Sequence, residues 1–220
     1  MISITLPDGS IRAFAPGTTP MEVAKNISEG FARNVISASF EGTTIETSTP
    51  LTTDGSLILY TWNDAEGKKA FWHSTSHVMA QVLEEMFPGI QLTLGPAIAN
   101  GFYYDVDFGD QKITEADFKA IESRILEISK EKHEFKMRAV TKAEALETYK
   151  DNVYKTELIS NLEDGTITFC DHATFTDLCR GGHIPNTSII KAVKIMSVAG
   201  AYWRGDEKNK MLTRLYGITF

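Results

Sequence analysis

Ile2-Ser3-Ile4-Thr5-Leu6-Pro7-Asp8-Gly9-Ser10-Ile11-Arg12-Ala13-Phe14 reads as two short strands around a turn. Ile2, Ile4 and Leu6 alternate with polar residues, Asp8-Gly9 offers the tight turn, and Ile11 to Phe14 returns. A helix is predicted next, because Thr19 can cap it, Pro20 suits its first position, Glu22 completes a capping box and Gly30 can end it. Strands follow at Asn34 to Phe40 and Ser56 to Thr61, the second after a turn at Asp54-Gly55. The order ββαββ predicts a mixed sheet gripping one helix, in a small unit over residues 1–62.

Working outward, Asp64-Ala65-Glu66-Gly67-Lys68-Lys69 is polar enough to serve as a linker, and residues 63–220 read as a larger α+β domain. A helix is predicted from about Lys69 to Phe87, with Val78, Val82 and Met86 on one stripe and Met79, Leu83 and Phe87 beside it, stopped by Pro88-Gly89. A second should run from Thr114 to Lys132 and bury Phe118, Ile121, Ile125 and Ile128. Thr141-Lys142-Ala143-Glu144 is another capping box. Strands are expected at Phe102 to Phe108, Thr166 to Cys170 and Ile190 to Val198.

Composition narrows the function classes. The 220 residues are 42% hydrophobic and 23% charged, with no apolar run near the ~20 residues that span a bilayer. The N-terminus lacks the features of a secretory signal, so the cytoplasm is expected. There the two cysteines, Cys170 and Cys179, read as free thiols. A net charge of -7 argues against binding nucleic acid through bulk electrostatics, so any RNA contact must be local. The candidate patch runs from Lys191 to Arg214, where Lys191, Lys194, Arg204, Lys208, Lys210 and Arg214 outnumber Asp206 and Glu207.

His73 and His77 are four apart on a predicted helix, so their imidazoles share a face. Later, Asp177-Leu178-Cys179-Arg180-Gly181-Gly182-His183 places a thiol and an imidazole four apart. Three imidazoles and a thiol suggest zinc first, held by His73, His77, Cys179 and His183. A zinc-protease reading is poor, because Ser74 and Thr75 lie where the metalloprotease helix needs a glutamate. The metal-free alternative is a polar pocket in which imidazole positions water against an ester.

His73-Ser74-Thr75-Ser76-His77, Gly101-Phe102-Tyr103-Tyr104-Asp105, Asp177 to His183 and Gly200-Ala201-Tyr202-Trp203-Arg204-Gly205-Asp206 occur in that order. Together they resemble bacterial threonyl-tRNA synthetases. Residues 1–62 resemble the family's ubiquitin-like β-grasp (TGS) domain, and 63–220 its editing domain of the threonyl/alanyl type. The pairing of His-x-x-x-His with Cys-x-x-x-His is shared with alanyl-type editing domains and their free-standing relatives, which hold zinc with it.

The resemblance implies proofreading: hydrolysis of seryl-tRNA(Thr), with threonyl-tRNA(Thr) refused by a site too small for its methyl. His73, His77, Lys155, Cys179 and His183 would be the catalytic set. His73 would orient or deprotonate water, and Lys155 would hold water or steady charge on the carbonyl oxygen. Tyr104, Asp177 and Arg180 would contact substrate. Of the adjacent tyrosines only one can face the pocket from a strand, and Tyr104 is preferred over Tyr103. Trp203 and Arg204 are candidates to stack on a base or meet phosphate, whereas Cys170, His133 and His172 fall outside the motif, and His172→Ala is expected to be silent.

No cofactor is expected for editing; zinc and ATP-Mg²⁺ would belong to the class II catalytic domain expected after Phe220. That domain would also make the parent a homodimer, with a monomer expected here. The expected partner is tRNA(Thr) carrying serine. Gly182 departs from the family's usual proline, which bears on the placement of His183. Two other readings stand beside this one: a free-standing zinc-dependent alanyl-type deacylase, and an RNA-binding module without catalysis.

Overall fold

A computed structural model describes residues 1–220. The chain divides into two compact units, one of Met1–Phe71 with Gly181–Pro185 and the other of Trp72–Arg180 with Asn186–Phe220.

The first unit begins with β1 (Ile2–Thr5) and β2 (Ile11–Phe14), paired antiparallel from Ile2 opposite Phe14 to Thr5 opposite Ile11. Their turn relies on Gly9 at φ 80° and on Asp8, whose Oδ1 accepts the Ser10 N–H at 2.9 Å. Next comes α1 (Pro20–Ile27), opened by the expected capping box: Glu22 N–H donates to Thr19 Oγ1 at 3.3 Å, and Thr19 N–H to Glu22 Oε2 at 2.8 Å. The helix does not reach Gly30. Ser28 turns extended at φ −168° and caps a new short helix, α2 (Glu29–Ala32), by accepting the Phe31 N–H.

β3 (Val35–Phe40) and β5 (Gly55–Thr61) match the expected strands, but a third, β4 (Thr43–Ile45), pairs along β3. Its hairpin turns through Glu41 and Gly42, both at positive φ, which a two-residue turn requires. The sheet order is β2-β1-β5-β3-β4, with β1 and β5 parallel and every other pair antiparallel. Ile2, Ile4, Leu6, Val23, Ala38, Leu51 and Leu57 form its core. Full burial of such aliphatic side chains contributes about 1.5–3 kcal/mol each. This is the β-grasp arrangement.

The expected polar linker is helical instead, because α3 spans Ala65–Met86. Asp64 starts it by accepting the Thr61 N–H on its carboxylate and the Lys68 N–H on its carbonyl. Gly67 lies so close to the Thr61 carbonyl that any side chain there would collide with it.

In the second unit, β6 (Gln91–Leu92), β7 (Ala97–Ile98), β8 (Gly101–Asp107), β12 (Val193–Tyr202) and β13 (Met211–Thr219) form one antiparallel sheet, β12-β13-β8-β6, with β7 also on β8. α4 (Glu115–Lys130) is capped at Thr114 and buries Phe118, Ile121, Ile125 and Ile128, the 3-4-3 spacing of one helix face, as it packs on β12. β9 (Lys136–Ala139), β10 (Thr168–His172) and β11 (Phe175–Leu178) make a second sheet with β10 central.

Two short helices lie between β9 and β10. α5 (Lys142–Thr148) is capped by Thr141, but Glu144 gives its carboxylate to Arg138, so only half the predicted capping box forms. α6 (Val153–Ser160) is capped by Asn152 and carries Lys155. No helix is long and apolar enough to cross a membrane.

Candidate functional site

α3 is buried nearly all round from Ala70 to Leu83, so its small polar residues must find partners inside. Ser76 Oγ lies 2.7 Å from the His73 carbonyl and 2.6 Å from that of Gly95. The Thr75 hydroxyl meets that of Thr219 at 3.1 Å. With its neighbours held this way, the helix presents His73 and His77 one turn apart, their rings 4.6 Å apart and steeply inclined.

The two imidazoles end a chain that begins at a buried carboxylate. Asp177, 2% exposed on β11, accepts His77 Nδ1–H at 2.8 Å and the Tyr104 hydroxyl at 2.8 Å on Oδ2, and the Lys155 ammonium on Oδ1. Burial opposes its ionisation, but Lys155 and His77 outweigh that cost and hold the carboxyl well below the usual carboxylate range. Burial likewise disfavours a charged His77, yet its interactions with Cys179 and with the Asp177 carboxylate prevail and raise its pKa above 6.5. Tyr104 is pushed well above 10, first by burial and then by Asp177, and so acts as a neutral donor.

From His77 the chain continues outward. His77 Nε2 stands 3.3 Å from His73 Nε2, which lies 3.1 Å from Cys179 Sγ. His73 is the partly exposed member, while His77 and Cys179 are buried. The ligand atoms of His73, His77 and Cys179 all lie within 4.8 Å of one another. A tetrahedral zinc with Zn–N near 2.0–2.1 Å would set its nitrogens about 3.3 Å apart, so this group could also hold a metal. The carboxylate behind His77 is the usual support of a ligating histidine.

Tyr104 faces Asp177 while Tyr103, on the opposite side of β8, lies under the Arg214 guanidinium at 3.8 Å. Lys155 is 2% exposed, not the surface lysine its helix suggests, and its ammonium also faces the Tyr149 ring at 5.0 Å. Its bond to Asp177 is a buried ion pair. Arg180 is exposed.

His183 belongs to the Gly181–Pro185 segment of the first unit, where its Nδ1 lies 3.0 Å from Glu46 Oε1. Gly182 there has φ 89° and donates its N–H to Glu46 at 2.9 Å, neither of which a proline could do. Sequence reading missed Glu46, which no local pattern links to residue 183.

Several surface expectations change. Trp203 is buried against Tyr154 and donates its indole N–H to Glu157, so it has no open face for a base. In the basic stretch, Lys194 pairs with Glu122, Arg204 with Glu157, Lys210 with Asp107 and Arg214 with Asp105, leaving Lys191 and Lys208 as the cations without an ion pair. The patch is therefore largely neutralised. His133 is held by Glu131, and Cys170 is buried and in no disulfide. His172 is buried between Phe135 and Phe175, so His172→Ala carries a packing cost.

Gly95 sits against the Tyr104 ring, and a Cβ there would also come within 2.9 Å of Ser76 Oγ. Gly95→Ala is therefore expected to displace Tyr104 from Asp177 and to cost about 1–3 kcal/mol, measurable by urea denaturation. An unchanged midpoint would show that the ring can yield.

Residues 2–61 match the TGS domain, and residues 167–216 match the threonyl and alanyl tRNA synthetase second additional domain, which includes Asp177, Cys179 and His183. The chain is a β-grasp unit joined to a synthetase-type additional domain.

Over its whole length it is 88% identical to a threonine–tRNA ligase of Flavobacterium johnsoniae, 83% to that of Flavobacterium psychrophilum and 56% to that of Parabacteroides distasonis. It spans 34% of each of those proteins. The chain belongs to the threonyl-tRNA synthetase family and corresponds to its N-terminal region.

Proposed function

We propose that the second unit hydrolyses the ester of seryl-tRNA(Thr) and spares threonyl-tRNA(Thr), within a cytoplasmic homodimeric ligase that attaches threonine to tRNA(Thr) using ATP. The observation that carries this reading is the chain from Asp177 through His77 to the partly exposed His73, ending at Cys179. Asp177 accepts from His77 Nδ1, which leaves the His77 Nε2 lone pair facing His73. With a proton on His73 Nε2 directed there, His73 Nδ1 can take a proton from water as that water attacks the ester carbonyl. His77 becomes the proton sink, and Asp177 stabilises its imidazolium.

Lys155 and Asp177 satisfy each other, so the geometry favours a supporting role for both over the direct roles that the family resemblance implies. The need for such a site follows from size. A pocket for threonine rejects serine by only about 10 to 200-fold, since one missing methyl is worth ~1–3 kcal/mol.

The reaction is taken as metal-free, on the strength of threonyl-type rather than alanyl-type relatives. Incubating the chain with preformed seryl-tRNA(Thr) and threonyl-tRNA(Thr) is expected to release serine at least tenfold faster than threonine. No release, or equal loss of both esters, removes the editing reading and leaves an RNA-binding module. Near-stoichiometric zinc in purified protein, lost in Cys179→Ala, would replace the metal-free reading with the zinc one.

A further inference from the structure

We propose that Glu46, a residue of the β-grasp unit, is the positioning residue that sets the tautomer and orientation of His183. Three donors converge on this one carboxylate. Gly182 N–H reaches Oε1 at 2.9 Å, His183 N–H reaches Oε2 at 3.0 Å, and His183 Nδ1 lies 3.0 Å from Oε1. A carboxylate offers only lone pairs, so Nδ1 must carry the hydrogen, and in the neutral ring the lone pair then lies on Nε2.

The site is built for this. His183 is fully buried and Glu46 is 8% exposed. The chain enters through Gly181 and Gly182, at φ 98° and 89°, a path that turns two successive N–H groups toward Glu46. A side chain on Gly182 would press on Thr44 of β4 at 3.1 Å and would be strained at φ 89°, so both space and backbone favour glycine here. Backbone and ring are thus gripped together. The catalytic consequence rests on the proposed ester hydrolysis and on the part in it that the family resemblance implies for His183.

The test uses the 220-residue chain with ¹⁵N-labelled histidine. Long-range ¹H–¹⁵N spectra of the parent are expected to show His183 as the Nδ1–H tautomer, and the Nε2–H tautomer there would overturn the proposal without any variant. In Glu46→Ala the ring is expected to shift toward Nε2–H, the His133 signals staying unchanged as a fold control, and serine release should fall about 10 to 100-fold.

Glu46→Gln is the conservative rescue. With its amide oxygen at the Oε1 position it keeps two of the three bonds, so the Nδ1–H tautomer and most of the rate should return. An Nδ1–H tautomer persisting in folded Glu46→Ala, or a rate within twofold of the parent, would show that Glu46 is only structural. If the parent releases no serine, the editing reading fails, while the tautomer measurement still decides the role of Glu46.

Discussion

Asp177→Ala is expected to destabilise the protein by about 3–5 kcal/mol, because it strands a buried charge. The Lys155 ammonium would remain at 2% exposure without its carboxylate, and His77 and Tyr104 would each lose an acceptor. Buried groups left unsatisfied cost more than the bonds they made were worth. The replacement of both charges should therefore be milder than that of one. Lys155→Met combined with Asp177→Ala is expected to recover part of the loss, giving a coupling energy above about 1 kcal/mol in a double-mutant cycle. Urea denaturation of the four proteins decides it, and a single-variant cost under 1 kcal/mol would mean that water reaches and solvates Lys155.

The pH dependence of stability separates the members of the cluster by sign. Asp177 has a folded pKa below the ordinary 3.8 of an aspartate, so its contribution is fully present above 3.8 and is lost as pH falls toward the folded value. His77 has a folded pKa above 6.5, so its contribution is complete below 6.5 and disappears as pH rises through the folded value. Asp177→Ala should flatten the acid side of the stability profile. It should also shrink the loss on the alkaline side, since Asp177 is one of the charges that favour protonated His77.

The residues that formed readable local patterns are those whose partners lie close by in sequence. Thr19 and Glu22, Asp8 and Gly9, and the spaced apolar residues of α4 each announce a structure that involves only their near neighbours. The pair His73 and His77 was legible for the same reason, since four residues on a helix fix their proximity. Lys155 was not. Its helix looks like a surface helix until β11 supplies Asp177, 22 residues later, and the ion pair alone explains why a lysine is inside.

β11 itself, Phe175-Thr176-Asp177-Leu178, hides behind that buried carboxylate, because an inward Asp breaks the apolar alternation that marks a strand. The same limit applied to Trp203, whose burial depends on Tyr154 and Glu157, and to the basic stretch, whose acidic partners Asp105, Asp107, Glu122 and Glu157 lie far back in the chain. A cation counted from sequence carries no information on whether it is already neutralised.

His73→Ala should lower serine release by about 10²–10⁴-fold, the range that a positioned proton acceptor supplies, while changing stability by less than about 1 kcal/mol. The contrast with Asp177 follows from burial: His73 is the partly exposed end of the chain, whereas Asp177 is buried against the Lys155 ammonium. Its base function requires His77 to be neutral, because a protonated His77 would turn its own Nε2–H toward His73. The rate should therefore rise with pH through an apparent pKa above 6.5 that belongs to the coupled imidazoles. Substituting Asp177 with Asn removes one of the charges that raise it, so the acid limb should move to lower pH even as the maximum rate falls. A folded His73→Ala with the parent's rate would exclude His73 as the acceptor. An acid limb that does not move in Asp177→Asn would sever the carboxylate from the proton path and leave it a structural anchor for Lys155.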